Sequence, residues 1–471
     1  MNKRTLVILY VLFDFLSAAL SWAIFYIYRK VQVEPAVFGY EIPLDLGTRF
    51  YAGVLVITLF WLTLYYLSGA YQDVMRKSRL RELGQTIIIV LTGVVILFFA
   101  LILDDVIVSY KDYYSSFLFL TFLQFVLTYI PRVTITTIIT KQVHRGHIGF
   151  NTLMIGSNGR AMEIYREFEE RHNSTGNRVV GFLNGNSKTE YQLESKLKHL
   201  GAVTDVKKVV AEQEIEEVII TLDTSEHQAI SEIINTLSGS NVVIKASPDI
   251  HDILTGKVKV HTIFGLPLIQ VTDNLMPIWQ ENMKRFLDVL VSLLAFVLLS
   301  PLIIILMIGV KLSSKGPILL KQERIGRFGR PFTLYKFRSM FADAEKNGPE
   351  LSRKNDDRLT NFGKFMRLRK LDEIPNFINV LIGEMSLVGP RPERQFYIDQ
   401  IILKAPHYVH LHRVKPGITS WGQVKYGYAA NVDEMIRRLK YDLLYIENMS
   451  LFVDFQIIII TILTIFRKEH I

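Results

Sequence analysis

An aspartate and a glutamate stand side by side at Asp372-Glu373, directly before Ile374-Pro375. Lys364, Arg367, Arg369 and Lys370 precede the pair, and Arg391 and Arg394 follow it, interleaved with Phe, Leu, Ile and Val. Charges in such company sit against a core or a membrane face, and half-buried charge needs a partner. A phosphate-bearing substrate is a natural one. Proline is welcome in a helix only in the first turn, so the spacing predicts a helix from about Asp372 to Leu381. Both carboxylates then lie at its N-terminus, where amide groups and the macrodipole also attract phosphate. Two carboxylates there repel an anion unless a divalent cation intervenes. Mg²⁺ is the expected one, because it takes one or two carboxylates plus phosphate oxygens. One carboxylate is then free to attack phosphorus while its neighbour binds metal. Asp-Glu before Pro is by itself a common capping signal; the surrounding cations give it weight.

Other residues fit the same chemistry. Gly389-Pro390-Arg391-Pro392 is stiff on both sides of Arg391, which suits a guanidinium preorganised for phosphate, with Arg394 beside it. In Glu323–Met340 a glycine turn leads into a strand that places Lys336 and Arg338 on one face. They read as a phosphate-facing pair or as an edge strand blunted by charge. Asp442, in the helical run Lys440–Tyr445, is a candidate second metal or substrate contact. His407, His410 and His412 have no carboxylate at matching spacing, which argues against zinc. Trp421, in the turn-rich Val414–Val424, is a wall for a base or sugar, or a packed corner.

The elements that position these residues are membrane elements. The formal charge is +9 while 49% of the 471 residues are hydrophobic. Mean hydropathy is +0.24. A basic soluble nucleic-acid binder would not carry that much apolar sequence, so nucleic acid is excluded as a partner. The balance fits a membrane protein with basic cytoplasmic surfaces. With no cysteine, disulfides, thiolate catalysis and Cys-ligated metals are out. Four apolar stretches, Thr5–Tyr28, Tyr51–Leu67, Thr86–Leu103 and Ser115–Ile130, each approach the roughly 20 residues a crossing needs. Arg76, Lys77, Arg79 and Arg81 lie in one connection and Asp104, Asp105 and Asp112 in the next. The positive-inside rule then puts both ends of this bundle (1–142) in the cytoplasm, with Arg29 and Lys30 against the trend. Asp14 within the first span reads as a carboxyl paired inside the bundle, or as part of a polar pathway.

Residues 143–272 change to alternating strands and helices, the pattern of a doubly wound, Rossmann-like α/β domain. Its Gly156-Ser157-Asn158-Gly159-Arg160-Ala161 turn lacks the middle glycine of a dinucleotide site, and Asn184 stands where an acidic ribose ligand belongs. Asp223, at a later strand end, fits either reading. In the third region, 280–471, the run 284–312 is long enough to span, but Ser300-Pro301 interrupts it and basic residues flank both ends. A helix that dips into the bilayer, bends at Ser300 and Pro301, and leaves by the same face satisfies both features. Leu451–Phe466, short for a crossing and interrupted by Asp454, reads as an interfacial helix.

Taken together the chain resembles the bacterial sugar transferases, in particular the long polyprenyl-phosphate hexose-1-phosphate transferases that prime exopolysaccharide or O-antigen synthesis. The resemblance rests on Lys284-Arg285-Phe286-Leu287-Asp288, Ser300-Pro301, Gln322–Gly326, Tyr335–Met340, Leu371–Asn376, Met385–Glu393 and Pro416–Thr419, in family order across Met283–Ile471. It implies a membrane bundle, a Rossmann-like domain and a mixed α/β monotopic catalytic domain with a re-entrant helix. It implies a nucleotide-diphosphate sugar as donor, undecaprenyl phosphate as acceptor, and an inner-membrane, multi-pass location with the catalytic domain cytoplasmic. Asp372 would attack the sugar-linked phosphorus to give a phospho-aspartate intermediate, and Glu373 would hold Mg²⁺. Arg367, Arg369, Arg391, Arg394, Lys336 and Arg338 would meet phosphate. Ile374 replaces the commoner leucine and Ser420-Trp421 a Gly-Leu-like pair; the second change bears on donor choice.

Two readings from other classes stay open. A membrane-anchored, nucleotide-sensing regulator would leave biological output intact in Asp372→Asn. A nucleotide-sugar oxidoreductase built on Gly156–Ala161 would be stabilised by a dinucleotide. The bundle, with no evident chemistry of its own, is a candidate surface for pairing two copies of the chain.

Overall fold

The structure, a computed structural model, describes residues 3–40, 43–44, 46–102, 110–170, 176–185, 192–222, 227–237, 240, 242–247, 268–271, 275–341, 344, 350, 356–427, 429 and 431–467. Asp104, Asp105 and Asp223 lie outside these. The chain divides into two compact units, Met1–Asn184 with 188–200 and 212–217, and Val218–Ile471 with 185–187 and 201–211.

The first unit opens with four long helices, α1 (Lys3–Tyr28), α2 (Thr48–Leu67), α3 (Arg79–Leu97) and α4 (Tyr110–His144). All are long and apolar enough to cross a membrane. The fourth runs well past the expected end at Ile130, with Pro131 inside it. Its continuation carries Arg132 into the bundle, where the guanidinium donates to both oxygens of Asp14, at 2.9 and 2.7 Å, and reaches Glu82 at 3.4 Å. Lys77 closes the group on Glu82 at 3.2 Å. Two cations therefore balance two carboxylates, all buried. Paired charge is what a low-dielectric interior tolerates. Asp14 is thus the paired carboxyl of the two readings. The neighbouring Arg76 turns the other way: it pairs with Glu217 at 3.0 Å and stacks over Phe150.

A sheet of order β3-β2-β1-β4-β5-β6 follows, with strands Phe150–Ile155, Asn177–Asn184, His199–Ala202, Glu217–Ile220, Val243–Ala246 and Ile269–Val271 for β1 to β6. β1 and β2 run parallel, while β6 returns antiparallel to β5. Helices α5 (Gly159–Glu170), α6 (Val206–Glu212) and α7 (His227–Leu237) alternate with the strands. At the glycine turn, Asn158 caps α5 by accepting from the Ala161 N–H. The Ser157 hydroxyl accepts from the Leu193 N–H and its carbonyl from that of Gln192. The chain's own backbone therefore occupies this turn.

The rest of the second unit is built on α8, Ile278–Ser313, which starts earlier than the expected 284 and contains Pro301. Proline lacks the N–H that would bond to the carbonyl four residues back. That carbonyl belongs to Val297, and the Ser300 hydroxyl takes it at 2.8 Å. Both ends of α8 pack on the same body. Near the start, Lys284 donates to the Val388 carbonyl and pairs with Asp454, and Asp288 accepts from the Leu387 N–H. Near the end, Leu306 and Val310 bury against Phe337, Met366 and Ile374. Gly309 has no room for a side chain, since a Cβ there would lie 2.3 Å from the Phe362 ring.

The hairpin β7–β8 (Leu319–Ile325 and Pro331–Phe337), α9 (Asn361–Leu368), α10 (Asn376–Ile382), β9 (Ser386–Val388), α11 (Gln395–Lys404), β10 (Gly417–Thr419), α12 (Trp421–Tyr426), α13 (Val432–Glu447) and α14 (Leu451–Arg467) complete the unit. Asp454 does not interrupt α14. It is buried there, bonded to the Tyr445 hydroxyl as well as to Lys284. Trp421 opens α12 and packs against the main core, so it is the packed corner.

Candidate active site

The acidic pair does not open an α-helix. Leu371–Glu373 forms one 3₁₀ turn, and α10 begins only after Pro375. The turn follows Lys370, a non-glycine residue held at φ +53° in the left-handed region. Such strain persists only where the surroundings enforce it.

Those surroundings are identifiable. Asn379, fully buried on α10, accepts from the Tyr335 N–H and donates to the Thr333 carbonyl, which staples the helix to β8. Gly383, at φ +98°, ends the helix in a left-handed cap. Arg285 then donates to the freed carbonyls of Val380 and Leu381 at 2.6 and 2.8 Å. With α10 fixed on β8, Lys336 reaches the Glu373 Oε1 at 2.7 Å.

Arg391 approaches the same oxygen at 3.4 Å. Its arm is held by main chain: the Gly389 N–H bonds to the Thr419 carbonyl, and the Gly417 N–H to that of Pro390. A Cβ on Gly389 would lie 2.3 Å from the Lys415 carbonyl oxygen. Beyond Arg391, the buried Glu393 is gripped by Arg438 at 2.7 Å and Arg324 at 3.4 Å. Arg324 also donates to the Pro392 carbonyl at 3.0 Å.

Arg324, Lys336, Glu373, Asn376, Arg391 and Gly417 line one cleft, and Asp372, next to Glu373 in the turn, is buried. The two carboxyls of the acidic pair are driven apart. Burial and the Glu373 charge push the Asp372 carboxyl up, against the pull of Lys336 and Arg367. Burial also works against the Glu373 anion, but Lys336, Arg391 and Lys370 outweigh it and hold that carboxyl well below the usual range. Two titratable groups separated in this way mark a site with distinct acid–base roles.

A divalent cation fits the donors present. Both carboxylates are hard oxygens, and the Asn376 Oδ1, in the same cleft, is buried without a hydrogen-bond partner. Among the described residues no three His, Asp or Glu side chains gather as a metal cage. Any further ligands would be phosphate oxygens and water, the set that Mg²⁺ favours.

Several expected residues lie elsewhere. Asp442 does not line the cleft: it is buried on α13, accepting from the Gly422 N–H at 3.0 Å and facing Arg438 at 3.9 Å, so it fixes the start of α12. Arg338 directly follows β8 and does not line the cleft; its guanidinium donates to the Ser314 carbonyl at 2.7 Å. Arg369 is exposed and stacks over Phe365 at 4.4 Å. Arg394 precedes α11 as its N-cap residue. Arg367 is tied to the Ser339 hydroxyl at 2.9 Å while its charge acts on Asp372. Sequence reasoning missed the roles of Arg324 and Asn376. The position of Asn376 directly after Asp-Glu-Ile-Pro was the available signal.

Residues 279–468 match the family model described as bacterial sugar transferase, and residues 66–248 one described as CoA-binding domain. A UDP-glucose:undecaprenyl-phosphate glucose-1-phosphate transferase from Caulobacter vibrioides is 35% identical over 191 residues, 40% of this chain and 71% of that one. This chain belongs to the bacterial sugar transferase family. It is a membrane-associated member and an enzyme. A UDP-glucose:undecaprenyl-phosphate glucose-1-phosphate transferase from Klebsiella pneumoniae is 29% identical over 420 residues, 86% of this chain and 87% of that one. A UDP-N-acetylgalactosamine-undecaprenyl-phosphate N-acetylgalactosaminephosphotransferase from Aeromonas hydrophila is 40% identical over 216 residues, 46% of this chain and half of that one. The sugar transferase match takes in every residue of the cleft.

Proposed function

We propose that this sugar transferase moves a sugar-1-phosphate from a UDP-hexose to undecaprenyl phosphate, priming exopolysaccharide or O-antigen synthesis at the bacterial inner membrane. The observation that carries the reading is the unequal pair: Glu373 is held as an anion by Lys336 and Arg391, while Asp372 is a buried carboxyl in an unfavourable charged state. A carboxylate whose charge is poorly stabilised is a reactive nucleophile. Asp372 attacks the sugar-linked phosphorus, the bond to the nucleoside monophosphate breaks, and a phosphosugar remains on the aspartate. An oxygen of undecaprenyl phosphate then attacks that phosphorus, releasing Asp372 and forming the undecaprenyl-diphosphate sugar. Lys336, Arg367 and Arg391 position the phosphates and offset their charge, which is most of what phosphoryl transfer asks of a protein. Mg²⁺, held by Glu373 with the Asn376 Oδ1 when bound, would supply charge neutralisation at the diphosphate.

The same reading makes α8 re-entrant and the catalytic region cytoplasmic. As a straight helix α8 would measure about 54 Å, well beyond a hydrocarbon core of about 30 Å. Its two ends nevertheless pack on one body, while Val297, Leu298, Ile304 and Ile305 around the Ser300-Pro301 bend stay exposed. The protein has no native cysteine, so single cysteines at Trp279 and Lys315 can be labelled from one side of sealed vesicles. Both should react from the cytoplasmic face; opposite faces would make α8 a spanning helix.

The chemical test uses purified full-length protein, a panel of UDP-sugars and undecaprenyl phosphate. UMP release and a phosphosugar adduct on Asp372 are expected without acceptor lipid. Donor consumed only when lipid is present would replace the covalent route by direct displacement. Full turnover in Asp372→Asn would remove the assignment altogether.

A further inference from the structure

Lys284, Tyr445 and Asp454 form a bonded group that no step of the proposed chemistry uses. Lys284 lies near the start of α8, Tyr445 on α13 and Asp454 on α14; the first is half-buried and the others buried. The Lys284 Nζ pairs with the Asp454 carboxylate and donates to the Val388 carbonyl at 2.9 Å. The Tyr445 hydroxyl donates to the same carboxylate at 2.7 Å and lies 3.3 Å from the same carbonyl. A buried ion pair adds little to stability beyond what apolar packing would give. What this one adds is direction: the carboxylate holds an ammonium and a hydroxyl on a single main-chain oxygen.

That oxygen closes β9, directly before the Gly389-Pro390-Arg391-Pro392 arm. Asp288, one turn after Lys284 on α8, holds the same strand by accepting from the Leu387 N–H at 3.0 Å. β9 runs parallel to β10, with Ser386 opposite Gly417 and Val388 opposite Thr419. The Thr419 hydroxyl bonds to that of Thr461 at 2.7 Å, and Thr461 shares a face of α14 with Asp454, two turns away. So α14 holds both strands, one through Asp454 and the other through Thr461. Proline stiffens the backbone on either side of Arg391. A shift at Val388 is therefore passed along the arm to the guanidinium, which stands 3.4 Å from the Glu373 Oε1.

We propose that Lys284, Tyr445, Asp454 and Thr461 are positioning residues for Arg391. They touch no reacting atom; they set where its guanidinium stands in the cleft. The inference rests on the proposed function, which gives Arg391 phosphates to hold. Misplacing such a group by about 1 Å costs about 100-fold in rate.

The test compares full-length wild type with Lys284→Met/Asp454→Leu, which removes both charges together and leaves no buried ion alone. Tyr445→Phe, which loses only a hydroxyl, is the milder second variant. UMP release from UDP-glucose or UDP-N-acetylgalactosamine with undecaprenyl phosphate gives kcat and KM, and amide exchange over residues 386–391 reads the arm itself. In the double variant kcat should fall about 10- to 100-fold with donor KM within about threefold of wild type. Tyr445→Phe should show a smaller loss, and exchange in the arm should quicken in both. In an Arg391→Met background the double change should lower kcat no more than about twofold further, because a guanidinium already removed cannot be misplaced. An equal further loss in either background would make these residues merely structural and overturn the proposal. Unchanged exchange in the arm, or undiminished kcat despite faster exchange, would do the same. Turnover of Arg391→Met at the wild-type rate would bring down the reading of the cleft too, whereas a loss there with none in the double variant counts against the positioning role alone.

Discussion

Removing the Lys336 ammonium should move the pH dependence of the enzyme in a direction the structure specifies. Its Nζ lies 2.7 Å from the Glu373 Oε1, with the two side chains 15% and 17% exposed, so solvent screens the pair little. The same charge favours the anion of Asp372. In Lys336→Met both carboxyls lose a stabilising cation, and both are harder to ionise. The proposed mechanism needs Asp372 as the anion, so on that mechanism the acid limb of kcat/KM must move to higher pH. A hydrogen bond to a charged group is worth about 1.5–3 kcal/mol, which converts to a loss of about 10- to 150-fold. The deficit should be largest at the acid end and narrow toward alkaline pH, where the carboxyls ionise regardless. UMP release measured from pH 5 to 9 reads this directly, and Lys336→Arg should recover most of it. A loss of equal size at every pH, carried by KM alone, would mean that Lys336 only binds donor. A limb displaced to lower pH would refute the electrostatic argument.

Other substitutions probe the supports. Gly389→Ala forces a Cβ to within 2.3 Å of the Lys415 carbonyl oxygen; the arm bearing Arg391 must shift, and kcat should fall about 100-fold, as small misplacements at a reacting centre do. In the bundle, Arg132→Met leaves Asp14 and Glu82 buried with one fewer cation, which should cost about 3–5 kcal/mol. The double variant Asp14→Asn/Arg132→Met should regain part of the lost thermal midpoint in detergent, and failure to do so would argue that the two groups are not coupled.

How much of this was legible beforehand differs by feature. The acidic doublet, the Gly-Pro-Arg-Pro arm and the Ser-Pro pair announce themselves because each is a short run of unusual residues. The apolar helices are equally plain, since twenty consecutive hydrophobic residues have few other uses. Their ends are not. Pro131-Arg132 looks like the close of a span, but past it Arg132 pairs with Asp14, 118 positions away, and Ile135 and Ile139 pack on Leu6 and Tyr10. The same holds for Asp442, a carboxylate near an active site in sequence terms, which the fold spends on the Gly422 amide and Arg438. Arg338 follows β8 with its N–H still bonded to the Ile318 carbonyl, but its guanidinium goes to the Ser314 carbonyl, a contact that strand alternation does not specify. Partners across long sequence separations are set by tertiary packing, and no spacing rule carries them.

The short turn around the doublet explains why two adjacent acids end in opposite electrostatic states. In a 3₁₀ turn successive side chains diverge by about 120°, from three residues per turn. Neighbours in sequence therefore face different surroundings, and Glu373 meets Lys336 and Arg391 while Asp372 is turned into the buried side. Had the pair stood within a regular strand, the two would have pointed to opposite faces. Had a distant carboxylate replaced one of them, the repulsion that raises Asp372 would have weakened with distance. The left-handed Lys370 before the turn and Pro375 after it confine the doublet to this geometry. A single strained turn thereby holds one carboxylate among cations and leaves its neighbour's charge poorly stabilised.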